Sequence, residues 1–239
     1  SGGATGDASA ADLDPSQTRA GLERGVAGLR VGIVTHLFGD VPIDARVAER
    51  VEAAVDVLRD LGASVEQVDA SFLRRAEIVQ QLVMLPEAAE AHLPWLRTRL
   101  ADYDPDVRAR LLVGLLLPGT TTVTGQRARR ALAEQARPLF ERFDVLASPA
   151  MPIVAPAIGE DPVRVGDVEL AYRLALIPYN SPWSCLGLPT VSAPCGFVDG
   201  LPVGIALTGR RFAEPTVLRV AHAYQQVTDW HEARPSVPD

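Results

Sequence analysis

The stretch from residue 186 to residue 212, "LGLPTVSAPCGFVDGLPVGIALTGRRF", constrains the fold of this chain most. It holds two runs of small and β-branched residues, and Asp199 and Gly200 lie between them. An Asp-Gly pair between two apolar runs is a strong hairpin signal, so we predict two antiparallel strands. The second run, "PVGIALTG", is apolar on both faces, which predicts a central, covered strand. Gly204 and Ala206 would let a neighbouring group approach that strand closely.

A strand–helix–strand unit is predicted near the start of the chain. The segment "LRVGIVTH" has the character of a short buried strand, and "SVEQVDA" has that of a second one. Between them, apolar residues recur at helical spacing after Asp44, a suitable N-cap, and end before Gly62. Such a unit indicates an α/β fold.

The middle of the chain, residues 72–143, has a mostly helical pattern that Pro86, Pro94, Pro105 and Pro118 are expected to interrupt. A strand is predicted from Asp144 to Ala147. It runs into a stiff proline-rich loop, "SPAMPIVAPAIGEDP", at the end of a strand, where α/β folds place their pockets. The segment "VRVGDVEL" is predicted to form a small hairpin.

A final helix is predicted to begin near Glu214 and Pro215, since proline suits the first turn. Its inner stripe would consist of Val217, Val220, Ala221, Tyr224 and Val227.

Length and charge limit the classes of protein that remain. A chain of 239 residues suits one large domain or two small ones. The net charge is −7, and the sequence has no basic stripe that could form a nucleic-acid surface. No apolar run reaches membrane-spanning length.

Residues 1–20 form a small polar lead that we expect to be flexible, and they lack the pattern of a signal peptide. The absence of an initiator Met leads us to expect a processed piece or a fragment. The two cysteines do not make a disulfide scaffold, and a cytoplasmic location is the default.

The basic residues exclude one class of mechanism. All 23 are arginine, so this chain by itself cannot supply a lysine base or a Schiff base. A Ser/His/Asp triad with Ser184 or Ser192 would need a G-x-S-x-G elbow, which is absent. His222 and His231 are nine residues apart on one predicted helix, which would put them on different faces and exclude a shared metal ion. We therefore predict no catalytic residue and no metal site in this chain.

The order of these segments resembles the C-terminal half of amidase-signature enzymes. The resemblance is carried by "FDVLASPAMPIVAPAIGE" and by "NSPWSCLGLPTVSAPCGFVDGLPVGIALTGRRFAEPTVLRVAHAYQQVTDWH". The segment "AGLRVGIVTHLFGDVP" matches the family just after its catalytic region. The resemblance extends from about Gly21 to Pro235. It implies a mixed β-sheet flanked by helices, with residues 21–239 as the C-terminal half of an amidase domain.

The resemblance also implies a reaction. Family members cleave or transfer amide nitrogen with a serine nucleophile, a second serine in a cis peptide and a lysine base. Those residues lie in a Gly/Ser-rich stretch and a lysine-bearing segment, and neither is in this sequence. We therefore expect a small-molecule amide as substrate, no cofactor, and an inactive isolated chain that needs the N-terminal half of the same enzyme. Because the sheet would be shared with that half, self-association into a homo-oligomer is also expected.

Four residues are predicted to bind substrate by this resemblance. Tyr179, Trp183 and Ser184 fall in the segment that the family uses as a pocket wall, and Met151 lies in the proline-rich loop. Trp183 could equally be a core residue. The segment "PWSCLGLP" departs from the commoner family form at Ser184 and at Leu186, which leaves the accepted substrate open.

Two alternatives remain at this stage. The chain could belong to the A subunit of a tRNA-dependent amidotransferase, which would imply partner subunits and tRNA. It could also be a non-catalytic amidase-like module that binds a ligand or a partner.

Overall fold

The computed structural model describes residues 15–39 and 42–235. The strands are β1 (Arg30–Val34), β2 (Ser64–Val68), β3 (Val145–Pro149), β4 (Val163–Val165), β5 (Val168–Leu170), β6 (Thr190–Val198) and β7 (Leu201–Gly209). The helices are α1 (Pro15–Gly21), α2 (His36–Gly39), α3 (Ala45–Asp60), α4 (Ala76–Thr98), α5 (Pro105–Leu116), α6 (Gly119–Arg142), α7 (Tyr172–Leu186) and α8 (Glu214–Gln225).

Five of the strands form one mixed sheet in the order β2-β1-β3-β7-β6. β1 is parallel to both β2 and β3, whereas β7 is antiparallel to both β3 and β6. β4 and β5 form the separate small hairpin that the sequence predicts. The predicted α/β class, with a mixed sheet flanked by helices, is confirmed.

Two hydrophobic cores lie on opposite faces of this sheet. The first packs α3 and α8 against the sheet, and its members include Val51, Leu58, Val145, Ile205, Leu207 and Val220. The second packs α6 and α7 against the sheet, and its members include Leu73, Leu132, Phe143, Leu146, Tyr179 and Trp183. The alternation of side chains along β3 supplies Val145 to the first core and Leu146 to the second.

The predicted strand–helix–strand unit is confirmed. The Asp44 side chain accepts a hydrogen bond of 2.9 Å from the backbone N–H of Arg46, so it caps α3 as expected. Gly62 follows the helix with φ +93°, a left-handed conformation that glycine adopts without strain.

The predicted hairpin is also confirmed, and its turn residues have the expected geometry. Asp199 has φ 51° and Gly200 has φ 78°, as a two-residue turn with both central residues left-handed requires. β7 lies inside the sheet and β6 forms its edge. The close approach predicted at Gly204 is present, because a Cβ there would lie 2.9 Å from Ser192 Oγ and 3.2 Å from the Ala150 Cβ.

The prolines of the helical region act differently from one another. Pro105 begins α5 and Pro118 immediately precedes α6, as helix boundaries should. Pro86 and Pro94 lie inside α4, so the prediction that they interrupt the helix was wrong.

Helix α7 was not predicted from the sequence. It contains Pro178 and Pro182, and proline lacks the N–H that an interior helical position donates to the residue four positions earlier. The acceptor that Pro182 would use is the carbonyl of Pro178 itself, so the two missing bonds lie one above the other on one side of the helix. Gly187 ends the helix in a left-handed conformation, with φ 63°.

Residues 1–14 of the predicted lead lie outside the described residues, and residues 15–20 belong to α1.

In α8 the predicted inner stripe is buried except for Val227. This residue lies beyond the helix and is 55% exposed, so its assignment to the stripe was wrong. None of the helices in the described ranges combines the length and apolar character needed to span a bilayer.

Gly114 allows α5 to pack closely on α4, and replacing it should separate the two helices. A Cβ at this position would lie 2.2 Å from the carbonyl oxygen of Leu85. We expect Gly114→Ala to lower the free energy of unfolding by about 1–3 kcal/mol, as overpacking does. Gly119→Ala is the control, because nothing lies within 4 Å of its added Cβ. Urea unfolding measures both variants, and equal stability of the two would contradict the close packing.

Both cysteines should be unreactive in the folded chain. Burial raises the pKa of the Cys195 thiol to about 12 and also raises the pKa of the Cys185 thiol. Because the thiolate is the reactive form, we expect a chromogenic disulfide reagent at pH near 8 to titrate neither thiol until denaturant is added. Rapid reaction of one thiol in the native chain would show that its core is open.

Candidate functional site

A cavity lies at the carboxyl end of β3, where the sequence predicts a pocket. Its volume is about 380 Å³. The proline-rich loop forms one wall, the first turns of α7 form a second, and β6 and β7 form the floor. Residues that line it include Met151, Ile153, Tyr172, Leu176, Ser192 and Gly204. We call it the β3-end cavity.

The β3-end cavity is mostly apolar. Its polar side chains are the hydroxyls of Tyr172 and Ser192, and none of the described residues that line it is charged or a histidine. A surface of this kind holds the apolar part of a ligand, as small-molecule pockets do. The lining provides no base that could activate a serine.

A second cavity, of about 360 Å³, lies between α4, α6 and α7. We call it the α4–α7 cavity. It has a more polar lining than the β3-end cavity, including Gln80, Glu87, Arg129 and Ser184. The Arg129 Nε donates a hydrogen bond to the backbone carbonyl of Cys185, which fixes the guanidinium over the end of α7. Cations favour this position because helix carboxyl ends carry unpaired carbonyls.

Tyr179 faces the core rather than either cavity. It is fully buried, and its hydroxyl lies within hydrogen-bonding distance of the carbonyls of Leu37, at 3.1 Å, and Pro42, at 3.0 Å. Burial raises the pKa of the Tyr179 phenol above its ordinary value, so the group stays neutral. Tyr179 therefore ties α7 to the chain that follows β1.

Trp183 lies one helical turn after Tyr179 and is 4% exposed. Its indole Nε1 is buried and has no hydrogen-bond partner among the described residues. An unpaired buried donor is uncommon, because it loses its hydrogen bonds to water without replacement. The indole is thus packed as a core residue but retains one unsatisfied polar atom.

The structure does not bring the four predicted substrate-binding residues around one cavity. Met151 lines the β3-end cavity, Ser184 lines the α4–α7 cavity, and Tyr179 and Trp183 are buried between them on α7. Their role in binding stays a prediction.

Sequence reasoning missed Tyr172 and Leu176 in the β3-end cavity, and it missed Gln80 and Arg129 in the α4–α7 cavity. Helical spacing within residues 172–186 would have indicated the first pair, had α7 been recognised despite its prolines.

The serine triad considered from sequence does not form at Ser192. Ser192 Oγ lies 2.9 Å from the position of a Cβ added at Gly204, and although Ser192 and His222 line one groove, no hydrogen bond joins them in the described part of the chain. His222 lies on α8 and contacts Glu23, with 3.1 Å between His222 Nε2 and Glu23 Oε1. In the described part of the chain, no three His, Cys, Asp or Glu side chains are grouped so that they could hold a metal ion.

Comparison with known proteins agrees with this fold. The sequence model of the Amidase family matches residues 2–218. The amidase of Pseudomonas putida is 37% identical over 91% of this chain and 47% of its own length. The A subunit of the glutamyl-tRNA(Gln) amidotransferase of Symbiobacterium thermophilum is 35% identical over 98% of this chain and 51% of its own length.

A crystal structure of an amidase superposes with a TM-score of 0.79 at 26% identity, over 85% of this chain and 46% of that one. The chain therefore spans about half the length of the curated relatives that it matches. Because the family match covers most of the sequence and the fold agrees with it, this chain belongs to the amidase family.

Proposed function

We propose that this chain is the C-terminal portion of an amidase-signature hydrolase that cleaves the carbon–nitrogen bond of a small-molecule amide. One observation carries the proposal: the chain matches about half of an amidase and contains no lysine. The nucleophilic serine, the second serine and the lysine base would then come from an N-terminal half of the same enzyme.

The proposed reaction proceeds through an acyl-enzyme. The serine Oγ attacks the amide carbonyl while its proton passes through the second serine to the lysine, and the amine leaves with a proton. Water then hydrolyses the ester and restores the serine. The lysine must be neutral to accept a proton, and burial lowers its pKa enough for that. Backbone N–H groups would stabilise the oxyanion.

The contribution of this chain would be to hold the substrate. The β3-end cavity, at about 380 Å³, is large enough for a small ligand, and its lining by Met151, Ile153 and Leu176 favours an apolar acyl or aryl group. Trp183 would act from α7, because its unpaired indole N–H needs an acceptor that a substrate or an ordered water could supply. Ser184 and Tyr179 also remain proposed substrate-binding residues. Tyr179 would contribute by fixing the position of α7.

The proposal includes a location and partners. Two free, buried cysteines support a reducing compartment, so we place the enzyme in the cytoplasm. Its partners would be the amide substrate and the N-terminal half, with a homo-oligomer as a further expectation and neither nucleic acid nor a membrane.

A second candidate is the A subunit of a tRNA-dependent amidotransferase. The observation that favours it is the 35% identity to such a protein over 98% of this chain. Assays of the full-length protein separate the two candidates. A free-standing amidase hydrolyses small amides alone, whereas the activity of an amidotransferase component should depend on its partner subunits and tRNA.

The isolated 239-residue chain should not turn over amides. We expect no hydrolysis of a panel of aryl and aliphatic amides and no labelling by a serine-directed phosphonate, because this chain holds no lysine. The full-length protein is the positive control, and its reading frame should contain a Gly/Ser-rich stretch and a lysine before residue 1. Turnover together with serine labelling of the isolated chain would rule out the proposal, as would a start codon at residue 1.

Replacing Trp183 in the full-length protein should change substrate preference more than stability. Trp183→Phe keeps an aromatic ring and removes the indole N–H. We expect relative kcat/KM values across the amide panel to shift by about fivefold, while the free energy of unfolding changes by no more than about 1 kcal/mol. Trp230→Phe is the control, since Trp230 packs against Phe197 near the opposite core. A lower Tm with unchanged kcat/KM ratios would make Trp183 a core residue only.

A further inference from the structure

A cluster of aromatic side chains lies at the carboxyl end of α4, apart from both cavities described above. His92, Trp95 and Arg99 follow each other at spacings of three and four residues, so they lie on one face of the helix end. A short 3-10 turn, Leu100–Asp102, then reverses the chain and returns Tyr103 to the helix. His92 Nδ1 and the Tyr103 hydroxyl share a hydrogen bond of 2.9 Å, which fixes both rings.

The three rings form a corner rather than a flat stack. The centroids of His92 and Trp95 are 5.7 Å apart with their planes at 59°, and those of His92 and Tyr103 are 5.6 Å apart with planes at 77°. Together with Arg99 and Asp102 they enclose a cavity of about 210 Å³. We call this cavity the aromatic corner. It shares no lining residue with the β3-end cavity or the α4–α7 cavity.

The exposure of Trp95 leaves an aromatic surface open at this corner. Trp95 is 52% exposed, whereas Trp183 is buried and Trp230 is half-buried. An indole is a large apolar group whose burial would be favourable, so a tryptophan held open beside two fixed rings presents its surface to a ligand.

The rim of the aromatic corner carries one exposed ion pair. The Asp102 carboxylate lies 2.7 Å from the Arg99 Nε, and both side chains are more than half exposed. An exposed pair of this kind is weak, so the carboxylate remains available to a second positive group. The pair adds no net charge to the corner, so the preference for a cation comes from the aromatic rings and not from the rim.

We propose that the aromatic corner binds a small organic cation of the alkylated ammonium class. The faces of aromatic rings carry negative potential, and several rings around one cavity attract a quaternary or alkylated ammonium group that water solvates weakly. Asp102 would add a counter-charge at the rim. The site is independent of the proposed amide chemistry and would hold a ligand, or the cationic part of one, away from the β3-end cavity.

Choline tests the proposal on the 239-residue chain, with dimethylbutanol as its uncharged isostere. We expect saturable choline binding by calorimetry or by ligand-observed NMR, and binding of dimethylbutanol at least about fivefold weaker. Equal affinity for the two compounds would overturn the cation assignment, and no saturable choline binding would overturn the site.

Variants locate the binding. Trp95→Leu keeps an apolar side chain and removes the ring, so choline affinity should fall by about fivefold or more, whereas Trp95→Phe should lose less. Asp102→Asn should weaken choline and leave dimethylbutanol unchanged, which tests the corner without altering the rings. Tyr172→Leu is the matched control, because it removes an exposed aromatic ring at the β3-end cavity. An unchanged affinity in both Trp95→Leu and Asp102→Asn, or an equal loss in Tyr172→Leu, would refute the proposal.

Discussion

The rest of the structure depends on the complete burial of β3. All of its residues, Val145–Pro149, are buried, and it pairs with β1 in parallel and with β7 in the antiparallel direction. A strand covered on both faces requires a layer of helices on each side, which explains the two cores. The start of β3 is fixed by Asp144, whose carboxylate accepts hydrogen bonds from the backbone N–H of Arg30, at 2.9 Å, and from its guanidinium. That guanidinium holds the pKa of the Asp144 carboxyl below its ordinary value.

Much of the fold could be predicted because its signals are local. The turn at Asp199 and Gly200, the cap at Asp44 and the glycine after α3 each specify a backbone conformation within a few residues. Helix α7 escaped prediction because Pro178 and Pro182 normally mark a helix end, and here tertiary packing of Tyr179 and Trp183 in the second core overrides that preference. The assignment of Val227 was wrong for the opposite reason. The helical spacing of apolar residues continues in the sequence to Val227, whereas α8 ends at Gln225.

The candidate site could be predicted only where the chain is extended. Met151 follows a strand end directly, and it lies in the predicted pocket. Trp183 and Ser184 are neighbours in sequence, but successive residues of a helix point about 100° apart, so one side chain enters the core and the other enters the α4–α7 cavity. The aromatic corner depends on a chain reversal that places Tyr103 against His92, and no residue pattern specified that contact.

The pairing of β1 with β3 has a consequence for how this chain folds. Arg30 and Asp144 are separated by 114 positions, and the helices α4, α5 and α6 occupy most of that interval. The entropic cost of closing such a loop grows only with the logarithm of its length, about 0.6 kcal/mol for each doubling. The free energy of unfolding therefore depends little on the length of the helical segment. The rate of folding depends on this length more strongly, because distant strands have to find each other by diffusion before they can pair. The length of the helical segment between β2 and β3 can therefore change at little cost in loop-closure entropy, provided that α6 keeps the face that packs in the second core, and such a change alters the rate of folding more than the stability.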